Sequence, residues 1–585
     1  MYERRYDLLA SKFNEFFLPT LFTSMAGNIC LFVDSLIVSF LIGSANLSAI
    51  QVVTPIVTFV NLIYWMIGLG GSVLASISKS EFDEDGSNYY FTVSVVSLVI
   101  LGILVMVIGL VFMDGIVYNL TNTTQIIPLV KEFFKYLLIG MPFLCYMMSL
   151  SYFIRADGIP NLPFKAILLS NVANIVLDFV YIKFLGLGIG GASLATATGY
   201  ILGSIFISVY FFKSERTLKL LNLGKIKIKS FLNHLKEICV SGFSSSSTQL
   251  FFTIKLFIYN NVIGFVLGKL GLMSFSICFN STFILYIFLI GSAQTMSPIV
   301  SVYNQEEDYA GVNYIVKKAL KISLISSLIL SLLFIFVPQI ILTLYNVHDP
   351  QQIPVTVNAI RIFAISFVGV AVTFLFTFYT QAIKNNRLSV VISTLEGCIL
   401  PILALFILTP IIGSNGIWIS FIVAEIVTII IIYLYSKYKS YKTKGEYGGF
   451  FINKTSSNDE VLDLSIENDI NQAVGVAYKV ESYLKDLNID KKRAMIVGLS
   501  IEEMLVNIIR TNKDIKTIDI LVKIQENHIL IGIKDQGIEF NPSLELESDN
   551  VDYSFENITV LNKIADKIDY ARVLGLNSTV ITIEK

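Results

Sequence analysis

Charge is scarce in this sequence. Lys, Arg, Asp and Glu make up 15% of its 585 residues, against about 25% in an ordinary soluble domain. The net charge of −1 says little about partners, and no nucleic-acid partner is expected. Cysteine is sparse and unpatterned. Cys30, Cys145, Cys239, Cys278 and Cys398 all fall in apolar segments with no CxxC spacing, which reads as buried thiols rather than a disulfide framework or zinc site. The three histidines, His234, His348 and His528, lack a phospho-acceptor setting, which argues against a histidine kinase. No GxxxxGK[ST] occurs, so no P-loop ATPase is expected to drive the chain. The opening MYERRYDLLASKFNEFF mixes acids with bases and lacks a small-residue cleavage site, so the first apolar span is expected to act as its own insertion signal.

Apolar residues, by contrast, are abundant: 54% of the chain, with a mean hydropathy of +0.70. The excess ends near residue 440, which predicts a multi-span membrane part followed by a soluble tail. Apolar stretches of spanning length predict twelve helices, near 14–43, 47–78, 91–117, 128–154, 163–184, 190–212, 236–263, 270–300, 314–345, 354–381, 387–411 and 415–437. Basic residues favour one set of loops by about four to one, which predicts cytoplasmic termini and a cytoplasmic tail. Lys437–Lys444 beside the last span are placed to touch anionic lipid. The "YNQEED" segment, Tyr303–Asp308, reads as a solvated turn.

A basic loop at about 213–236 divides the spans six and six. At an offset of 225, Gly43 matches Gly268, Leu47 matches Leu272, Asn161 matches Asn386, Gly188 matches Gly413 and Gly191 matches Gly416. Such coincidences at corresponding points predict a duplicated six-helix unit, with residues 1–225 and 226–440 as the two lobes and the substrate path between them.

"DSLIVSFLIGSANLSAI" (Asp34–Ile50) and "FIRADGIPNLPFKAILLSNVANIVLDFVYIKFLGLGIGGASLATATGY" (Phe153–Tyr200) resemble the multidrug and toxic compound extrusion (MATE) family. The resemblance covers about residues 10–440. It implies a two-lobed exporter that expels cationic and amphipathic small molecules against an inward Na+ or H+ gradient. Relatives that flip lipid-linked saccharides are the alternative. It also implies a cation-coupling site at Asp34, Asn174, Asp178 and Thr196, an oxygen set suited to Na+ or to a shared proton. Asn174 and Asp178, four residues apart, share a helix face. At the repeat offset these positions become Tyr259, Ile399, Leu403 and Phe421, so the second half lacks the site. Two further ionisable residues, Lys255 and Glu396, are cavity candidates: they pair across a cavity, meet substrate, or Lys255 snorkels to an interface. Glu425 lies near a span centre and suggests no role; Asp157 and Arg155 suggest a loop contact.

Residues 441–455 read as a linker and 456–585 as an α/β domain with helices layered on a mixed sheet. "VLDLSI" reads as a strand, two helical segments follow, "IDILVKIQENHILIGIKDQG" reads as two strands turning at Glu526–Asn527, and a helix over "FENITVLNKIADKIDY" precedes a last strand. "IEEMLVNII" and "IKDQGIEFNP" resemble the ATPase fold shared by gyrase, heat-shock protein 90 and histidine kinases, in its anti-sigma-factor serine kinase branch. The resemblance implies Glu503 as general base, Asn507 as Mg2+ ligand, and Asp535 and Gly537 in an adenine-reading box that Phe540 and Pro542 complete. No glycine lies between Pro542 and Leu561, where the phosphate lid would need one. The tail is thus read as a regulatory module that binds ATP with Mg2+ or a cytosolic regulatory protein. A membrane sensor whose tail binds or phosphorylates such a protein is the reading from a different class.

Overall fold

The computed structural model describes residues 3–80, 83–121, 123–157, 159, 161–213, 216–222, 227–454, 461–512, 515–525, 528–538, 565–573 and 576–584. The expected turn at Glu526–Asn527, the box residues Phe540 and Pro542, and most of the helix expected over 555–570 lie outside them.

The membrane part is helical: α1 Asp7–Ile42, α2 Leu47–Tyr64, α3 Gly70–Ser80, α4 Glu84–Val111, α5 Met113–Leu120, α6 Ile127–Ala156, α7 Asn161–Asp178, α8 Gly188–Ile207, α9 Ile228–Gln305, α10 Tyr309–Phe336, α11 Gln339–Leu344, α12 Gln352–Ala382, α13 Asn386–Thr394, α14 Leu400–Ile412 and α15 Ser414–Lys442. Among the described residues ten helices are long and apolar enough to cross a membrane. Two of the twelve expected spans fall on one of these ten, the stretch Gln249–Asn304 of α9, which is interrupted at Gly268 (φ 59°, ψ −146°). The first expected span falls on α1, of which Phe32–Ile42 is the apolar part among the described residues.

The internal repeat is visible in the backbone. Gly43 and Gly268 both take positive φ, as do Gly188 and Gly413, a conformation that costs an L side chain about 1–2 kcal/mol. Asn161 and Asn386 each open a helix. Gly191 and Gly416 each lie against backbone: an added Cβ would meet the Tyr181 carbonyl carbon at 3.1 Å and the Leu408 carbonyl oxygen at 2.4 Å. The repeated glycines therefore mark matching breaks and close approaches in the two halves.

The chain forms two compact units. One comprises Leu21–Ser292 and Leu320–Ile432; the other comprises Met1–Thr20, Ala293–Ala319 and Tyr433–Lys585. The second unit contains the tail. The expected linker carries a small hairpin, β1 Tyr447–Gly448 with β2 Asn453–Lys454. Then come β3 Val461–Glu467, α16 Ile470–Asp486, α17 Lys491–Thr511, β4 Thr517–Ile524, β5 His528–Asp535, β6 Lys567–Val573 and β7 Leu576–Glu584. Strand order is β3-β4-β5-β7-β6 and every neighbouring pair is antiparallel, so the sheet is not mixed as expected. A second correction is β6. The end of the segment expected as a helix is a strand, because Ile568, Tyr570 and Val573 pair along β7.

Strand periodicity gives the sheet two buried faces of different character. Ile518, Ile520, Val522 and Ile524 alternate onto the apolar core with Ala473, Val476, Val480 and Leu484 of α16 and Val497, Ile501 and Leu505 of α17. Each buried aliphatic side chain there contributes about 1.5–3 kcal/mol. The intervening Asp519, Leu521 and Lys523 face the other way.

Candidate functional site

Paired acids appear twice in the membrane part. In the first half, Asp34 stands on α1, Asn174 and Asp178 stand one turn apart on α7, and Thr196 stands on α8. The structure brings all four together. Asn174 Nδ2 lies 3.1 Å from Thr196 Oγ1. With the amide turned over, Nδ2 donates to Asp34 Oδ1 at 2.9 Å and the amide oxygen accepts from Thr196 Oγ1 at 3.1 Å. That orientation matches donors to acceptors, and amide orientation is assigned from such networks. The Asp34 and Asp178 carboxylates lie close enough to act on one another. Asp178 is fully buried, and neither of its carboxylate oxygens has a donor among the described residues. Such a group is costly unless a proton or a cation meets it.

The chain reaches this arrangement through small residues. A Cβ on Gly199 of α8 would lie 2.6 Å from the Ser170 carbonyl oxygen of α7 and 3.4 Å from Asn174 Cβ. A Cβ on Gly203, one turn on, would meet Ser170 Cβ at 3.0 Å. The Gly-x-x-x-Gly spacing lets α8 approach α7 closely enough for Thr196 to reach Asn174. Beyond Asp178 the backbone widens into a π turn, Phe179–Phe184, a feature frequent at functional sites.

The repeat counterparts tell the opposite story. Tyr259 and Phe421, at the positions of Asp34 and Thr196, pack with ring centroids 4.5 Å apart. The Tyr259 hydroxyl lies 2.5 Å from Ser420 Oγ and donates to the Pro401 carbonyl at 3.1 Å. Aromatic packing thus fills the place that the first half gives to Asp34 and Thr196.

The second half carries a different cluster. Glu396, in the π turn Leu395–Ile399, lies close to Glu425 of α15, and Lys255 of α9 lies close enough to act on both. Thr373 of α12 donates to Glu425 Oε2 at 2.8 Å. A Cβ on Gly369 would lie 2.5 Å from Glu425 Cβ, so that glycine makes room for the acid. Sequence reading named Lys255 and Glu396 but gave Glu425 no role and missed Thr373. An acid inside the apolar run "IVAEIV" was the available signal. Asp157 does make a loop contact, accepting from Tyr210 Oη at 2.7 Å and from the Thr217 amide at 3.1 Å.

In the tail, Asn507 is buried and its Nδ2 lacks an acceptor among the described residues. Glu503 lies one turn before it on α17. Asp535, at the end of β5, accepts from the Gly537 amide at 2.7 Å and from Asn577 Nδ2 at 2.9 Å. Burial holds the Asp535 carboxyl above its ordinary value, against those two donors and the Arg572 charge. A Cβ on Gly537 would meet Asn512 Oδ1 at 2.6 Å. Asn512, Arg572 and Asn577 were missed by the sequence reading. Among the described residues no group of three or more His, Cys, Asp or Glu side chains is placed to hold a metal ion.

A third polar cluster involves the expected solvated turn, and that expectation is wrong. Asp308 is buried, caps the start of α10 by accepting from the Gly311 amide at 2.8 Å, and pairs with Arg4 at 2.8 Å. Glu306 pairs with Lys534, and Glu307 with Lys523.

The MatE family model matches residues 19–180 and again 245–407. The multidrug export protein MepA of Staphylococcus haemolyticus is 25% identical over 425 residues, covering 70% of this chain and 90% of its own length. MepA of Staphylococcus aureus is 24% identical over 434 residues, covering 72% and 92%. Among solved structures, the inward-facing form of a multidrug resistance MATE family transporter of the MOP superfamily has a TM-score of 0.65 at 20% identity, over 72% of this chain and 95% of that one. A MOP superfamily transporter from Pyrococcus furiosus, described by the reverse polarity of its binding pocket, has a TM-score of 0.58 at 20% identity, over 74% and 96%.

Proposed function

The chain belongs to the MatE family, and on that premise we propose that it is a secondary active transporter of the cell membrane that exports small amphipathic compounds in exchange for Na+ or H+. One observation carries the coupling: Asp178, fully buried and without a donor among the described residues, beside Asp34. The Asn174 amide donates to Asp34 Oδ1, whereas both oxygens of Asp178 lack a donor among the described residues and are the first seat for an incoming proton or cation. Asp34, Asp178 and Thr196 offer hard oxygen ligands of the kind that suit Na+, and the acid pair alone suits one shared proton. Occupancy of the pair changes the charge buried in the first half, and that change is what a transport cycle can exploit. In this reading the two halves are lobes that rock against one another, the usual consequence of a duplicated unit. The basic loops support cytoplasmic termini and a cytoplasmic tail.

We assign the tail a regulatory role. The buried Asn507 Nδ2, without an acceptor among the described residues and so open to a phosphate oxygen, together with the Asp535–Gly537 turn, supports binding of ATP; Mg2+ would take the Asn507 amide oxygen. A cytosolic protein partner is the alternative occupant. A second transport reading is a flippase for lipid-linked saccharides, in which Lys255 meets an anionic headgroup once protons neutralise the neighbouring Glu396 and Glu425. The test is uptake into everted vesicles under imposed Na+ or H+ gradients, with a cationic dye and a fluorescent lipid-linked saccharide as cargoes. Gradient-driven dye flux supports the exporter. Movement of the saccharide alone supports the flippase. Absence of both, with the tail modifying a protein, leaves the sensor.

A further inference from the structure

The face of the tail sheet turned away from α16 and α17 is polar yet buried. Asp519, Lys534 and Ser578 on it are at most 8% exposed. What covers them comes from the same compact unit: the residues before α1 and the turn between α9 and α10. Glu3 forms an antiparallel bridge with Leu464, and the Arg5 amide donates to Ser465 Oγ at 3.4 Å, so the N-terminal segment lies along the edge strand β3. Arg4 then turns inward with a side chain 3% exposed. Its guanidinium meets Asp308 at 2.8 Å, Asp463 at 3.0 Å and Asp519 at 3.4 Å. One cation thus joins three carboxylates from three parts of the chain.

These groups line a cavity of about 50 Å³, room for more than one water at about 10–15 Å³ each. Four carboxylates and three cations line it, and one of those cations, Lys523, is already engaged by Glu307 outside the lining. Lys534 is engaged by Glu306 and stacks 3.4 Å over the Tyr303 ring. The acids therefore outnumber the cations that balance them. Asp463 Oδ1 is buried with no hydrogen-bond partner among the described residues, whereas its Oδ2 accepts from Arg4. An unpaired buried carboxylate oxygen beside an excess of negative charge is a seat for a proton.

We propose that this cluster is a proton-binding latch. A proton on Asp463 holds the tail sheet against residues 3–6 and the 303–308 turn, and its loss loosens that grip. The groups facing Asp463 are Arg4 and Tyr6 of the N-terminal segment, Asp308 of the turn, Asp519 of β4, and, one shell out, Lys534, Glu306 and Tyr303. Burial pushes the Asp463 carboxyl up to about 7; Arg4 opposes this, and Asp308 and Asp519 add to it. Asp519 is raised as well, chiefly by burial and against Arg4 and Ser465. The ordinary Asp value is 3.8. Between that value and about 7 only the latched state carries the proton, so the latch weakens as pH rises through this window and levels off above it. On the proposed cytoplasmic placement, protons arriving on the inner face would tighten it.

The experiment uses the full chain in lipid nanodiscs, with its cysteines replaced by serine and spin labels on Tyr441→Cys and Tyr478→Cys, both exposed. Pulsed spin-resonance distances are read from pH 5.5 to 8.5. A separated population should grow by up to about tenfold per pH unit below about pH 7 and then plateau. Asp463→Asn should remove most of the rise, leaving the share owed to Asp519, and Arg4→Met should give separation at every pH. A pH-independent distance in the parent protein, or an unchanged profile in Asp463→Asn, overturns the proposal. Should the labelled protein fold poorly, release of the tail from the native protein by a short protease pulse reads the same profile. Neither readout depends on flux, so failure of the latch leaves the transport reading standing.

Discussion

The two halves of the membrane part share their backbone breaks and differ in their buried polar groups. Gly43 and Gly268, and Gly188 and Gly413, break the chain at matching points. Yet where the first half places Asp34 and Thr196, the second packs Tyr259 against Phe421. The second half moves its acids to Glu396 and Glu425 and adds Lys255. Duplication has kept the residues that shape the backbone and released those that carry charge. The charge state of each half, rather than its fold, is then what distinguishes their roles. The first half sets the half-buried Asp34 beside the fully buried Asp178; the second sets the half-buried Glu396 beside the buried Glu425, balanced in part by a cation.

The largest effect that sharpens this contrast is expected from Asn174→Ala. It removes the amide donor to Asp34 and should cut ion-coupled flux at equal membrane abundance by about 5–150-fold, the range of typical coupling free energies. Near-parental flux would mean that the amide does not serve coupling. Lys255→Gln removes the cation that sets the second half apart. It should shift preference several-fold towards cationic cargo, read from the ratio of KM values for a cationic and an anionic dye. An unchanged ratio would place Lys255 away from the cargo. Gly199→Leu forces a side chain towards the Ser170 carbonyl oxygen. It should destabilise the protein by about 1–3 kcal/mol in denaturant unfolding, and should lower flux because Thr196 is pushed from Asn174. The smallest effects test the shared scaffold. Gly43→Ala and Gly268→Ala should each cost about 1 kcal/mol or slightly more from positive φ alone, and similar losses in both would match the common backbone. A loss in one half alone would break the comparison.

Much of the membrane part was legible in the sequence because lipid demands long apolar helices and tolerates few charges. Asp34, Asn174, Asp178 and Thr196 were named through the family resemblance, and the four-residue spacing placed two of them on one helix face. Periodicity could not say which helices meet. Glu425 therefore stood without a partner until α15 was seen beside Glu396 and Thr373. Arg4 and Asp308 were harder still. Each lies in a short charged run that looks solvated in sequence, and their burial comes from tertiary contacts hundreds of residues apart. The strand β6 was read as helix because its mix of polar and apolar residues fits either period. The pairing with β7 decides it.

The central claim is that the first half alone couples transport to an ion. The most direct measurement is substrate flux in proteoliposomes under an imposed Na+ or H+ gradient, comparing the parent with Asp34→Asn/Asp178→Asn and with Glu396→Gln/Glu425→Gln at equal reconstitution. The account predicts that the first pair abolishes the response to the gradient while the protein stays folded, and that the second pair changes cargo affinity but keeps the response. Gradient-driven flux that survives in the Asp34→Asn/Asp178→Asn protein, or disappears in the Glu396→Gln/Glu425→Gln protein alone, would contradict it.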